Sequence, residues 1–136
     1  MRDKSAMDNH LTLTLLKHQY AVCQLAQDRE LPPWIAHSEV RSLARTPTEM
    51  TAVCEDRFVP ADVRANYGLR CLRGLGGQFG FAMTGILASI VGLLAAVGVS
   101  ISAFSTFNTD YVLFRNAKGD VAHVALAAAG HTIHSL

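Results

Sequence analysis

Apolar and polar positions alternate clearly at the start of the ordered-looking part of this chain. Leu11-Thr12-Leu13-Thr14-Leu15-Leu16 has the period of two that a half-buried strand requires. Tyr20-Ala21-Val22-Cys23-Gln24-Leu25 follows as a second segment, with polar Lys17-His18-Gln19 as the break between them. Pro32-Pro33-Trp34 marks a turn or a short helical entry. Val40–Arg45 and Thr51–Cys54 read as two strands joined by Thr46-Pro47-Thr48-Glu49, so they are expected to form a hairpin. Val59-Pro60-Ala61-Asp62-Val63 predicts one helical turn, and Leu69–Arg73 another strand.

The second half has a different rhythm. No charged residue occurs from Gly74 to Thr109, and a run of that length raises the question of a membrane span, which needs about 20 apolar residues in one helix. The pattern changes within the run. Ile86, Leu87, Ile90, Leu93, Leu94 and Val97 form one helical stripe over 84–97, while Ala88, Ser89, Val91, Gly92, Ala95 and Ala96 leave a face of mostly small residues. Gly98 then stops the helix. Val99-Ser100-Ile101-Ser102-Ala103-Phe104 alternates as a strand over 99–106. No Lys/Arg cluster flanks the run closely, so a membrane partner is not expected. Asn108-Thr109-Asp110 predicts a tight turn, Tyr111–Phe114 a returning strand, Asp120 the N-cap of a helix reaching about Ala129, Gly130 its stop, and His131–His134 a last strand.

From Leu69 onward the predicted order is β-α-β-β-α-β, the ferredoxin-like arrangement. The first half follows the same order with its helices shortened, although no direct sequence repeat accompanies it. The expected fold is therefore α+β: two ferredoxin-like (βαββαβ) subdomains with antiparallel sheets, 11–66 and 67–136, preceded by a polar, frayed arm over 1–10. That arm contains no signal-peptide core.

Composition narrows the function. Half the residues are hydrophobic, enough for a sizeable core. Twelve basic and eleven acidic side chains leave a formal charge of +1, which argues against a nucleic-acid partner and offers little repulsion against self-association. Three widely spaced cysteines, Cys23, Cys54 and Cys71, without a CxxC pair, predict reduced core thiols and a cytoplasmic protein. His131 and His134 fall on opposite faces of a strand, so no metal site is expected. Gly74-Leu75-Gly76-Gly77 is neither a dinucleotide nor a nucleotide fingerprint, and no cofactor is expected.

Four ordered blocks are similar to those of a known family. Arg45-Thr46-Pro47-Thr48-Glu49-Met50-Thr51-Ala52-Val53-Cys54, Leu69-Arg70-Cys71-Leu72-Arg73, Thr84-Gly85-Ile86-Leu87-Ala88-Ser89-Ile90 and Ser105-Thr106-Phe107-Asn108-Thr109-Asp110-Tyr111-Val112-Leu113 resemble small bacterial ACT-domain proteins, which are related to the tandem-ACT arginine sensors of animals. Ala129-Gly130-His131-Thr132-Ile133 also fits. The resemblance covers nearly the whole chain from Leu13. It implies two ACT-like subdomains, a regulatory role, an amino-acid ligand, and pairing into a homodimer with ligand at the seam. One departure is Gly80, where many relatives carry an acidic residue before the phenylalanine at Phe81.

The chemistry of such a ligand selects the candidate residues. Free N–H groups at Gly85, Ile86 and Leu87, at the start of the predicted helix, are suited to a carboxylate. Gly85 allows close approach, and Thr84 can cap the same end in competition with ligand. Asp110 is the sole charged side chain between Arg73 and Arg115, and can pair with an ammonium or guanidinium group. Ser105, Thr106 and Phe107 stand just before it, and the resemblance implies that this segment lines the pocket. The same residues also fit plainer roles, a helix start and a hairpin-turn aspartate. Two alternatives remain: an interaction module with a vestigial pocket, and a thiol-dependent enzyme, for which no adjacent nucleophile and base are present. The expected function is amino-acid sensing without catalysis.

Overall fold

The computed structural model describes residues 11–75 and 84–136, with the backbone alone taken at Leu75, Thr84, Gly85 and Ile86. The expected arm over 1–10 and the Gly80 departure lie outside the described residues. Two compact units emerge: residues 18–69, and residues 11–17 with 70–136.

In the 18–69 unit the strands are β2 (Tyr20–Leu25), β3 (Ser42–Arg45), β4 (Met50–Glu55) and the opening residues of β5 (Ala65–Leu75). Their order across the sheet is β3-β4-β2-β5. The expected hairpin forms, with Ala44 opposite Thr51 and Leu43 opposite Ala52. Period-two alternation does the sorting: Ala21, Cys23 and Leu25 of β2 share a core with Met50, Ala52 and Cys54 of β4. Ile35 joins this core from a 3-10 turn, Pro33–His37. Pro32, held extended before Pro33, fixes where the turn begins, and Ser38 returns to extended backbone at its end. The second helical turn forms at Asp56–Phe58, earlier than the expected 59–63. Gly68 in β5 has φ +70, a conformation that favours glycine.

The other unit holds β1 (Thr12–Leu15), the remainder of β5, α1 (Thr84–Ala96), β6 (Ile101–Ser105), β7 (Asp110–Arg115), α2 (Gly119–Ala128) and β8 (Thr132–Ser135). From β5 on, the element order is the expected β-α-β-β-α-β. The sheet order is β6-β7-β5-β1-β8, which differs from expectation in one respect. β1 inserts between β5 and β8, antiparallel to the first and parallel to the second. Residues 12–15 therefore pair with strands of the second half, although the division expected near residue 66 assigned them to the first. The alternation of β1 supplies the reason: Leu13 and Leu11 complete the core under α1 and α2 with Leu72, Ile90, Leu94, Val112, Phe114 and Leu126.

Both helices stop as the glycines predict. Gly98 has φ +77, its N–H reaches Ala95 O, and the N–H of Val99 reaches Leu94 O at 2.9 Å, the paired bonds of a Schellman motif. Gly130, with φ +95, does the same for α2 through Ala127 O and Leu126 O. The helix α1 starts at Thr84 as its stripe predicts, while the cap of α2 falls at Lys118, two places before the expected Asp120. Thr84 is already helical, and Asp120 lies in the first turn of α2 rather than at its cap, because Lys118 and Gly119 open the helix from the preceding 3-10 turn. Among the described residues no helix is long and apolar enough to cross a membrane: Gly98 divides the uncharged run as its pattern predicts.

Candidate functional site

The expected ligand residues fall at two places in the second unit. Ser105 and Asp110 are the last facing pair of β6 and β7, and the Ser105 hydroxyl donates to the Asp110 carboxylate. The turn that joins them is closed by Thr106: its N–H donates to Thr109 O at 2.8 Å, and its hydroxyl accepts from the Thr109 N–H at 3.2 Å. Asp110 is thus a strand residue, one place later than the expected turn. Phe107 stands at the tip, 95% exposed. Behind the pair, the rings of Phe104 and Tyr111 stack across the ladder at 4.8 Å.

Parity fixes which way Asp110 faces. Val112 and Phe114, two and four residues on, lie in the core beneath the helices, so Asp110 is on the same, helix-bearing side of the sheet. Chain reversal fixes the end. After the Gly98 motif β6 returns along α1. Five strand residues cover about 17 Å and thirteen helical residues about 20 Å, so the β6–β7 turn comes back to the level where α1 begins. Thr84, Gly85, Ile86 and Leu87 are the first residues of that helix. Leu87 packs against the hydrophobic core, which leaves only its backbone for a ligand.

Sequence reading passed over a second polar cluster, in the 18–69 unit. Glu55 is 1% exposed. Its Oε2 accepts from the Glu39 N–H at 2.9 Å and the Ser38 hydroxyl at 3.3 Å. Its Oε1 accepts from Arg57 Nε at 2.9 Å and lies 2.8 Å from Arg57 Nη2. His18 Nε2 is 3.7 Å away. Burial pushes the Glu55 carboxyl up, but the Glu39 N–H and the Arg57 guanidinium outweigh it and hold the group below its ordinary value. Every acceptor is occupied, which is the condition of a structural knot rather than of a free acid or base.

All three cysteines are free and buried. Cys23 and Cys54 share the β2–β4 core, and their mutual interaction lowers the Cys23 thiol and raises that of Cys54, which burial raises further. Burial pushes the Cys71 thiol up to about 12, the opposite of what a nucleophile needs. His131 is largely buried and its Nδ1 accepts from the Leu11 N–H at 3.1 Å. Among the described residues no three metal-ligating side chains gather.

This arrangement has known relatives. A family model of the ACT domain matches residues 64–128, from β5 to the end of α2. A separate model of an N-terminal domain matches residues 18–62. The crystal structure of Atu0741 from Agobacterium tumefaciens is 31% identical over 93% of this chain and 94% of that one, with a TM-score of 0.85. Residues 64–128 of the chain are an ACT domain. Two further structures share the fold of this ACT-domain protein at lower identity. VC0802 from Vibrio cholerae, a protein of unknown function, is 17% identical over 90% of this chain and 91% of its own, with a TM-score of 0.67. The ligand-free regulatory subunit of aspartate kinase from Thermus thermophilus is 12% identical over 84% and 93%, with a TM-score of 0.56. No curated protein matches.

Proposed function

We propose that this protein is a non-catalytic sensor that binds a free amino acid and acts as a regulatory module. In this reading the two units are tandem ACT-like subdomains, 11–66 and 67–136 in the main, with β1 exchanged between them. The ligand carboxylate sits on the N–H groups at Gly85, Ile86 and Leu87, and its cationic end turns to Asp110. Asp110 carries the reading: it is a carboxylate held by Ser105 on the helix-bearing side of the sheet, at the end where α1 starts. Thr84, Thr106 and Phe107 complete the rim. Aspartate-kinase regulatory subunits of the same fold support a regulatory role. The exposed Ala88, Ser89, Gly92, Ala95 and Ala96 support a homodimer built on this helix face, and three unoxidised thiols support a cytoplasmic setting. The relation to animal arginine sensors is part of the same proposal.

A thermal-shift screen against the twenty amino acids tests it. At a hundredfold excess over Kd a ligand adds about 2.7 kcal/mol to stability, an unmistakable rise in melting temperature. One or a few amino acids should produce it, and Asp110→Asn should remove it. A flat response to all twenty at millimolar concentration overturns the sensor reading and leaves an interaction module. Light scattering tests the dimer, for which a monomer at tens of micromolar is the contrary result.

A further inference from the structure

A cavity of about 260 Å³ opens in the β1/β5–β8 unit, between the start of α2 and the sheet. It is well separated from the Ser105–Asp110 pair. Asn116 borders it, and the six strand residues Asp110–Arg115 before it run as extended chain for about 20 Å. Three ionisable or charged side chains face into it: Arg70 from β5, and Asp120 and His123 from one face of α2. Leu15, Leu72 and Ile133 are among its apolar walls, and Asn116 and Ser135 add uncharged polar groups.

Arg70 is the unusual member. Its Nε is buried and has no hydrogen-bond partner. Its one hydrogen bond among the described residues is a long one, from Nη2 to Leu16 O at 3.3 Å. Neither Arg70 nor Asp120 takes part in an ion pair among those residues. The buried Nε is closed to solvent, but the Nη groups hold only that long bond and keep donors to spare, and a carboxylate matches guanidinium geometry. Asp120 nearby disfavours a plain anion but accepts from a donor on the adjacent carbon. The volume lies at the small end of ligand sites.

From this we infer that the cavity is a second ligand site, for a small aliphatic carboxylate that bears a hydrogen-bond donor on the carbon next to the carboxyl. The carboxylate lies on Arg70, the donor group points to Asp120, and the aliphatic part packs on Leu15, Leu72 and Ile133. A 2-hydroxy acid and a 2-amino acid share this chemistry.

The test titrates the full chain with 4-methylpentanoate, 2-hydroxy-4-methylpentanoate and leucine, followed by amide chemical shifts and calorimetry. Saturable shifts at Asn116, Asp120 and His123 are expected with a donor-bearing acid, and weaker ones with the plain acid. Comparing the hydroxy and amino compounds tells which source the site prefers. Arg70→Gln should weaken binding by about tenfold to a hundredfold, and Asp120→Asn should erase the advantage of the donor. Asp110→Asn, at the other site, should change neither, so this inference and the sensor reading fail separately. Absence of shifts at those three amides with all three compounds overturns the inference, whether or not the variants fold. So does undiminished affinity in folded Arg70→Gln.

Discussion

Replacing Glu55 with Gln changes one atom's identity and no volume, so its cost can be worked from contacts alone. The carboxylate receives Glu39 N–H and Ser38 on Oε2, and the Arg57 fork on Oε1. An amide offers one acceptor oxygen and one donor nitrogen. Turned either way, it sets an NH2 group against a donor that was satisfied before. A hydrogen bond to a charged group contributes about 1.5–3 kcal/mol, and a buried donor left unpaired costs about 1–3 kcal/mol. Arg57 is 57% exposed, so water recovers part of its share. The loss should be about 2–3 kcal/mol at pH 7. Urea unfolding can be followed by Trp34, the single tryptophan, which packs on the core of this same unit. Acidity supplies the control. The folded pKa of Glu55 is depressed, so its stabilisation is complete above the unfolded value of about 4.3 and is lost as pH falls through the folded value. The gap between wild type and Glu55→Gln should therefore be level from about pH 5 upward and narrow below about pH 4. A gap under about 0.5 kcal/mol at neutral pH, or one of the same size at pH 3, would refute the reasoning.

Asp110→Asn keeps an acceptor for Ser105 but removes the charge, so ligand affinity should fall by about tenfold to a hundredfold with the apo melting point unchanged; calorimetry beside a melt of the apo protein checks both. Gly98→Ala and Gly92→Ala should move stability in opposite directions in chemical denaturation. A Cβ meets nothing within 4 Å at either place, but φ +77 at Gly98 costs about 1–2 kcal/mol, whereas helical Gly92 gains about 0.8–1 kcal/mol. Leu94→Ala, at a fully buried position facing β7 and β1, should cost about 2–5 kcal/mol in the same assay. Cys71, with its thiol pushed up to about 12, should resist Ellman's reagent at pH 8 in the native protein and react once urea unfolds it; rapid native labelling of Cys71 would count against this.

The helix stops and the β6–β7 hairpin were legible because each is a local device: a glycine at a helix end, or an alternation closed by a polar turn. The division of the uncharged run was legible for the same reason. Three features were not. The place of β1 between β5 and β8 depends on pairing with residues more than fifty positions away, and alternation states that a strand has an apolar face without naming its neighbours. The Glu55 knot draws on residues 18, 38, 39 and 57, and in the sequence Glu55 is an ordinary charge at a strand end. Arg70 sits in a strand motif whose resemblance pointed to the family rather than to a cavity; its meeting with Asp120 and His123 around one cavity is visible only once the fold has been assembled. Of the candidate ligand residues, Ser105 and Asp110 meet because adjacent strands bring them together; Thr84, and the expected cap Asp120, instead stand within the first turns of their helices, since cap positions depend on the chain that enters them.

The insertion of β1 also orders events on the ribosome. Thr12 pairs with Thr132 and Leu15 with Ser135, a separation of 120 positions in each case. Residues 18–69 contain the partners of β2, β3 and β4 and can close while translation continues. β1 emerges before all of them, yet its edge toward β8 stays open until nearly the whole described chain has been made. During that interval Leu11, Leu13 and Leu15 form an unpaired apolar strand, the kind that recruits other nascent chains. Synthesis rate and chaperone occupancy over the second half should therefore affect the yield of this protein more than its modest size implies.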